Sequence, residues 1–285
     1  MKLDRGFSLI EVAIVLVIIS VLVSIVAIPL STQLEQRRIE DTKKQLEVVK
    51  EVLIGFTLSN GRLPCPASST SAGRESFCTS AVGACGTEIL SYSSAPHGRC
   101  ASPNGFVPAA TLALYPVDSQ GYMVDTFVKA DSINRLRYAV PTVTINTVNP
   151  SFTTPTKDYQ VFTSVDGMRN ATMDRITAYS TGFLFVCQED PAITAVSATS
   201  CPAGKELTHA SPAVVFSIAS NSEVALASLT SGGEKSNQTP NSSAFFQGAR
   251  IDNRNAATPY YFDDLVTWIS PNTLFARMVQ AGKLP

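Results

Sequence analysis

"RGFSLIEVAIVLVIISVLVSIVAIPL" (Arg5–Leu30) is apolar enough to cross a bilayer, yet it carries Glu11 near its start. From Phe7 to Leu30 there are 24 residues, about 36 Å of helix at ~1.5 Å per residue. That exceeds a hydrocarbon core of ~30 Å, so the run predicts a tilted transmembrane helix over residues 7–30. A carboxylate at that depth is costly unless it finds a partner, which makes Glu11 a functional residue by default.

Only Met-Lys-Leu-Asp-Arg-Gly precedes the run, and Lys2 and Arg5 make that flank positive. Short positive flanks stay in the cytoplasm, so the N-terminus is expected inside and the remainder exported. Arg37, Arg38, Lys43 and Lys44 beyond the span oppose that count. Two plainer readings compete, a cleaved secretory signal and a simple signal anchor. The run is longer than a secretory core of ~7–15 apolar residues, and its one passable cleavage site is Ile25-Val26-Ala27. A simple anchor fits the length but leaves Glu11 without a reason, and neither alternative uses Gly6 or Phe7.

The stretch "GFSLIE", Gly6–Glu11, followed by its apolar tract, resembles the class III signal of type IV pilins and type II secretion pseudopilins. In that family a prepilin peptidase at the cytoplasmic face cuts after the glycine and methylates the new N-terminus. The resemblance therefore implies cleavage between Gly6 and Phe7 and N-methylation of Phe7. Glycine suits such a cut because its backbone can approach a protease closely. Glu11 would then be the fifth mature residue, and the acid on one subunit can pair with the Phe7 ammonium of another. Each group offsets the other's burial cost, and the pair favours subunit register more than raw stability.

Helical patterning continues beyond the apolar run. Ile39, Thr42, Leu46, Val49, Leu53 and Phe56 recur at alternating spacings of three and four, one largely apolar stripe. Glu40 with Lys44 and Glu47 with Lys50 form favourable exposed pairs. "SNG" at Ser59–Gly61 reads as a helix stop, and Pro64 prevents resumption. A near-continuous helix over residues 7–59 would measure about 80 Å. Pro29, inside it, should kink it or break one turn.

After Gly61 the composition shifts to Ser, Thr, Pro, Gly and Ala. "RLRYAV" (Arg135–Val140), "GFLFVC" (Gly182–Cys187), "AVVFSI" (Ala213–Ile218) and "DDLVTWI" (Asp263–Ile269) read as strands. Ser270 as N-cap, Pro271 at the first position, an apolar face of Leu274, Phe275, Met278 and Val279, and Gly282 past the end predict a terminal helix. Ser220–Phe245 reads as exposed loop. The expected fold is α+β: a long N-terminal helix, half transmembrane and half amphipathic, packed on a disulfide-bearing head with an antiparallel sheet. The expected divisions are a leader at 1–6, a transmembrane and filament-core helix at 7–30, an amphipathic helix at 31–59 and a globular head at 60–285.

Six cysteines, at 65, 78, 85, 100, 187 and 201, all follow the apolar segment. An even count behind an export signal favours disulfides, and no C-x-x-C spacing invites zinc. Six cysteines allow fifteen pairings, so connectivity is not legible from spacing. The working guess is Cys187 with Cys201, and a nested set of Cys65–Cys100 outside Cys78–Cys85. "LPCPA" followed by "C…GFVPAATL" resembles a group of large pilin-like proteins and adds weight to the outer pair.

The chain has a formal net charge of −1 and no basic block, so a broad nucleic-acid-binding face is not indicated. No nucleophile elbow, H-E-x-x-H helix or phosphate loop is present. His97 and His209 read as loop residues, and Trp268 as core. The resemblance also raises calcium, which some pseudopilin heads bind, and Asp263-Asp264 and "VDG" (Val165–Gly167) could contribute to such a site. They lack the periodic oxygen ligands of a calcium loop, however, and read as solvated acids, so no cofactor is expected, with calcium as the alternative. An enzyme is not expected.

The resemblance implies a minor pilin or pseudopilin, since the mature chain is large for a major pilin. Glu11 argues against the tip pseudopilin that typically lacks this acid. Its partners would be prepilin peptidase, other pilin or pseudopilin subunits and the inner-membrane assembly platform. It would be a single-pass inner-membrane precursor with a periplasmic head, later part of a filament. A membrane-anchored periplasmic binding protein that never polymerises is the alternative.

Overall fold

The computed structural model describes residues 8–127, 134–146, 158–171, 183–192, 196–221, 224–253 and 259–284. For residues 23–32, 146, 158 and 221 only the backbone is described. Gly6 and Phe7 lie outside the described residues. The chain divides into two compact units, Met1–Asp41 and Thr42–Pro285.

One helix, Leu9–Asn60, occupies the N-terminal part of the sequence and passes through Pro29 without a break. Among the described residues no helix is long and apolar enough to cross a membrane. The helix stops where "SNG" predicts. Gly61 has φ +71°, and its N–H donates to the Thr57 carbonyl at 2.8 Å. Only glycine takes this left-handed turn without a steric penalty.

The second unit begins at Thr42 rather than after the helix because the last turns of the helix are part of its core. Thr42, Leu46, Val49, Leu53, Ile54 and Thr57 are all buried. They face a four-stranded antiparallel sheet with the order Leu265–Ile269, Ala213–Ser217, Arg137–Ala139, Asn104–Phe106. Side chains on a strand alternate between faces. Tyr138, Val215 and Ile269 join the helix stripe and the terminal helix, whereas Ala139, Val214 and Phe216 pack with Leu184, Val186 and Phe245. Every residue of Ala213–Ser217 is buried, which explains its unbroken apolar reading.

That second face is covered by a three-stranded sheet. Ala244–Gln247 runs parallel to Leu184–Gln188, which pairs antiparallel with Glu206–Ser211. The head is thus not purely antiparallel. Pro271–Gln280 forms the terminal helix behind Ser270, with Leu274, Phe275 and Met278 buried. Val279, expected on the same face, is exposed. Ser220–Phe245 is not a loop: it holds the helix Gly232–Gln238 and the start of a buried strand.

Two polar groups tie the helix into this core. Thr42 Oγ1 donates to Asp125 Oδ1 at 3.0 Å. Asp125 also accepts from Ser217 Oγ, from Asn134 Nδ2 and from the Phe127 N–H, so the acid bridges the helix to the central strand. Burial raises its pKa above the usual carboxylate value, against those hydrogen bonds. Past the helix end, Arg62 makes a bidentate pair with Glu75, both contacts 2.8 Å, and lies 3.9 Å from the centre of the Tyr92 ring. The cysteines join as Cys65–Cys100, Cys78–Cys85 and Cys187–Cys201, the three pairs named above.

Leu53 is fully buried, so Leu53→Ala is expected to destabilise the head by about 2–5 kcal/mol. Val48, on the same helix and 53% exposed, should tolerate alanine within about 0.5 kcal/mol. Urea denaturation followed by the fluorescence of Trp268 measures both.

Candidate functional site

Every described residue from Ser8 to Leu22 is exposed. Leu9 is 92% exposed, and Val12, the least exposed of the large aliphatic residues in this stretch, still 46%. Apolar residues surround the helix on all sides here, so no single face could be hidden against a core. An exposed apolar surface of this extent marks a candidate interaction surface. Glu11 is the one charged residue between positions 8 and 22.

The start of the helix is built locally. Ser8 Oγ accepts the Ile10 N–H at 3.3 Å, and Glu11 Oε2 accepts the Ser8 N–H at 3.0 Å. The Glu11 and Val12 N–H groups reach the Ser8 carbonyl at 3.0 and 3.2 Å. Glu11 supplies the return bond of an S-x-x-E capping box, while Ser8 Oγ caps the second rather than the third N–H of the helix, and together they satisfy donors that a helix otherwise leaves open. The arrangement also places a carboxylate at the positive end of the helix dipole. Sequence reading found Glu11 from its cost in an apolar run but missed Ser8, whose spacing to Glu11 was the available signal.

A second concentration of chemistry lies in the head. One carboxylate oxygen from each of Glu234, Asp263 and Asp264 lies within 4.8 Å of the other two, and all three residues are buried. The expectation that Asp263 and Asp264 are solvated is therefore wrong: they are 6% and 1% exposed. They lead into the edge strand Leu265–Ile269, which turns them inward toward the helix Gly232–Gln238. That helix is capped by Ser231, whose Oγ accepts the Glu234 N–H. Asp263 Oδ2 accepts from Tyr261 OH at 2.6 Å and from Ser220, and Glu234 Oε1 accepts the Asp263 N–H at 3.1 Å.

Glu189 adjoins this group. Its Oε1 accepts from Ser231 Oγ at 2.6 Å and from Tyr260 OH. A Cβ at Gly233 would come within 1.8 Å of Glu189 Oε2, so glycine is what lets the acid approach that helix. Burial, reinforced by the charges of Asp264 and Asp263, pushes the Glu234 pKa up to about 9. Burial likewise raises Asp264 well above the carboxylate range, and raises Glu189.

Other candidates are less concentrated. Asp166 of "VDG" lies in the first turn of the short helix Val165–Asn170 and joins no metal-holding group among the described residues. His209 is on the strand Glu206–Ser211, not in a loop, and its Nδ1 is 2.9 Å from Glu206. His97 is in a turn, with Nδ1 accepting the Arg99 N–H at 3.0 Å. Trp268 is half-buried against the Phe216–Phe245 cluster. It also lines a groove of about 790 Å³ between Lys43–Ile54 of the helix and the strand Leu265–Ile269, which reaches Asp264.

Residues 1–27 match the family model described as the prokaryotic N-terminal methylation motif, the class III prepilin signal of type IV pilins and pseudopilins. No curated protein and no solved structure matches the chain. The motif supports a type IV pilin-like or pseudopilin protein. It implies processing by prepilin peptidase and assembly with other pilins.

Among the described residues Glu11 bonds only within its own first turn, so Glu11→Ala is expected to leave head stability within about 0.5 kcal/mol of the parent. Trp268 is the sole tryptophan and belongs to the head, so its unfolding curve reads that quantity alone. A larger loss would mean that Glu11 supports the fold rather than an external contact.

Proposed function

We propose that this chain, which carries a prepilin signal at residues 1–27, is a minor pilin or pseudopilin. In this reading it is an inner-membrane precursor with its head in the periplasm. Prepilin peptidase cuts between Gly6 and Phe7 and methylates Phe7. The apolar helix then leaves the bilayer for a filament core made of equivalent helices. Glu11 receives the Phe7 ammonium of a neighbouring subunit, and the head presents a surface. The protein is a structural subunit and not an enzyme.

The observation that carries this reading is the coincidence of the motif with a helix that has no apolar partner of its own. All described residues from 8 to 22 are exposed, although most are Val, Ile or Leu. Lipid covers such a surface before assembly and neighbouring helices cover it afterwards. The single carboxylate on that surface supplies register, because an unmatched charge in an apolar bundle is costly.

Intact mass spectrometry on membrane and sheared surface or periplasmic fractions tests the proposal. The expected species begins at a methylated Phe7 and appears in both fractions. Glu11→Ala should be cleaved normally but reduced at least about tenfold in the filament fraction, the equivalent of losing ~1.4 kcal/mol of subunit association. A chain that still begins at Met1, or one cut after Ala27, would overturn it.

A further inference from the structure

The two edges of the four-stranded sheet are treated differently. At one edge, Phe106 of the strand Asn104–Phe106 exchanges backbone bonds with Ala67, both at 2.9 Å, so a further segment covers it. At the other, Leu265–Ile269 pairs with Ala213–Ser217 on one side, and among the described residues no strand or bridge pairs with it on the other. In an antiparallel ladder alternate residues direct their N–H and C=O groups away from the partner. Ser211 Oγ donates to the Ile269 carbonyl at 3.1 Å. Among the described residues no other side chain, and no loop backbone, bonds to the backbone of this strand.

Native edges are usually blunted by charge, proline or a bulge. "LVTWI" has none of these: its side chains are uncharged, and its residues pair with Ala213–Ser217 without a register shift. The groove described above runs along this strand. Lys43, Leu46, Glu47 and Lys50 of the long helix form one wall, Gln247 and Gly248 the other. The faces of the strand agree with that placing. Leu265 and Ile269 pack with the helix stripe, whereas Val266 and Trp268 pack on the side of Phe245.

We propose that the open edge of Leu265–Ile269 takes up an extended segment of a partner protein as an added strand of this sheet, with a carboxylate side chain of that segment meeting Lys43. In strand addition the backbone bonds supply affinity, and the pockets that receive alternate side chains supply selectivity. The paired stretch would span about 17 Å at ~3.4 Å per residue. A single extended segment can reach a strand lying between two walls, whereas the same edge of a second copy carries the same walls with it.

Charge decides what the segment carries. Glu47 is bonded to Lys50 and Thr267, and Glu51 to Arg277. Lys43 is exposed and has no ion-pair or hydrogen-bond partner among the described residues. Glu47 meets Thr267 within the strand and Glu51 meets Arg277 beyond it, so helix and strand run in the same sense. Lys43, one turn before Glu47, therefore stands at the Leu265 end of the groove and selects an acid there. This inference does not rest on the assembly reading, because the edge is open in the single chain.

The test uses full-length protein in detergent and a library of synthetic peptides that alternate valine and threonine, each made with aspartate or lysine at either end. Trp268, which lines the groove, reports binding by its fluorescence, and amide hydrogen exchange locates it. An aspartate-bearing member should slow exchange of the outward amides of Leu265–Ile269 at least about tenfold. N-methylation of its alternate amides should weaken binding at least about tenfold, since strand addition depends on those donors. Lys43→Glu, a change at an exposed position, should weaken that peptide about fivefold and favour the lysine-bearing ones. The inference is overturned if no peptide protects the strand, if the N-methylated peptide binds equally well, or if Lys43→Glu leaves the preference unchanged. Protection of the strand that grows with protein concentration in the absence of peptide would assign the edge to a second copy, and would overturn it too.

Discussion

The buried stripe Thr42–Leu46–Val49–Leu53 supplies the surface on which the four-stranded sheet closes, and the remaining layers follow from that contact. A sheet with one apolar face needs one cover; the strand Ala213–Ser217 is apolar on both faces and needs two. The helix provides the first, and the strands around Leu184–Gln188 and Ala244–Gln247 provide the second. Asp125 fixes the register of this stack, because its carboxylate gathers Thr42 from the helix and Ser217 from the central strand. Dispersion and burial supply the magnitude of the stabilisation, and the hydrogen-bonded acid restricts which alignment receives it.

The N-terminal residues of the same helix obey the same physics with a different outcome. Between Leu9 and Leu22 the aliphatic side chains are exposed among the described residues, and in the reading proposed above lipid or neighbouring subunits complete their burial. In that reading the two ends of one secondary-structure element differ in function. Thr42–Asn60 belongs to a folded unit, whereas the described residues 8–22 are all exposed. A domain boundary inside an unbroken helix follows from where each face finds cover, not from any change in backbone conformation.

What was legible in the sequence was what repeats over short range. The stripe spacing, the Ser59–Gly61 stop, the apolar strands and the Pro271 helix start are each written in a few adjacent residues, and each is present. The acid group was not legible, because Glu234 lies 29 residues before Asp263 and no local period connects them. Its helix, "GGEKSNQ", is poor in helix formers and reads as loop; the Ser231 cap and burial against the sheet hold it instead. Reading Asp263-Asp264 as solvated failed for a related reason. A charged pair usually faces water, but here Asn237, Tyr261 and Ser220 receive it inside the head.

In the reading proposed above, Glu11 would combine a local role with an external one. One of its oxygens takes the Ser8 N–H, and that bond makes the first turn rigid and sets where the carboxylate points. An ionised carboxylate offers about four lone-pair sites, so this bond leaves capacity for an ammonium from another molecule. Capping would therefore not compete with the proposed intersubunit pair; it would pre-organise the acceptor and lower the entropy lost on pairing. Alanine at Glu11 would remove the local bond and the proposed external acceptor together, whereas Ser8→Ala would remove only the Ser8 Oγ contact with the Ile10 N–H and keep both the Glu11 bond to the residue 8 N–H and the charge. In the proposed reading, the graver loss for assembly is therefore expected at Glu11.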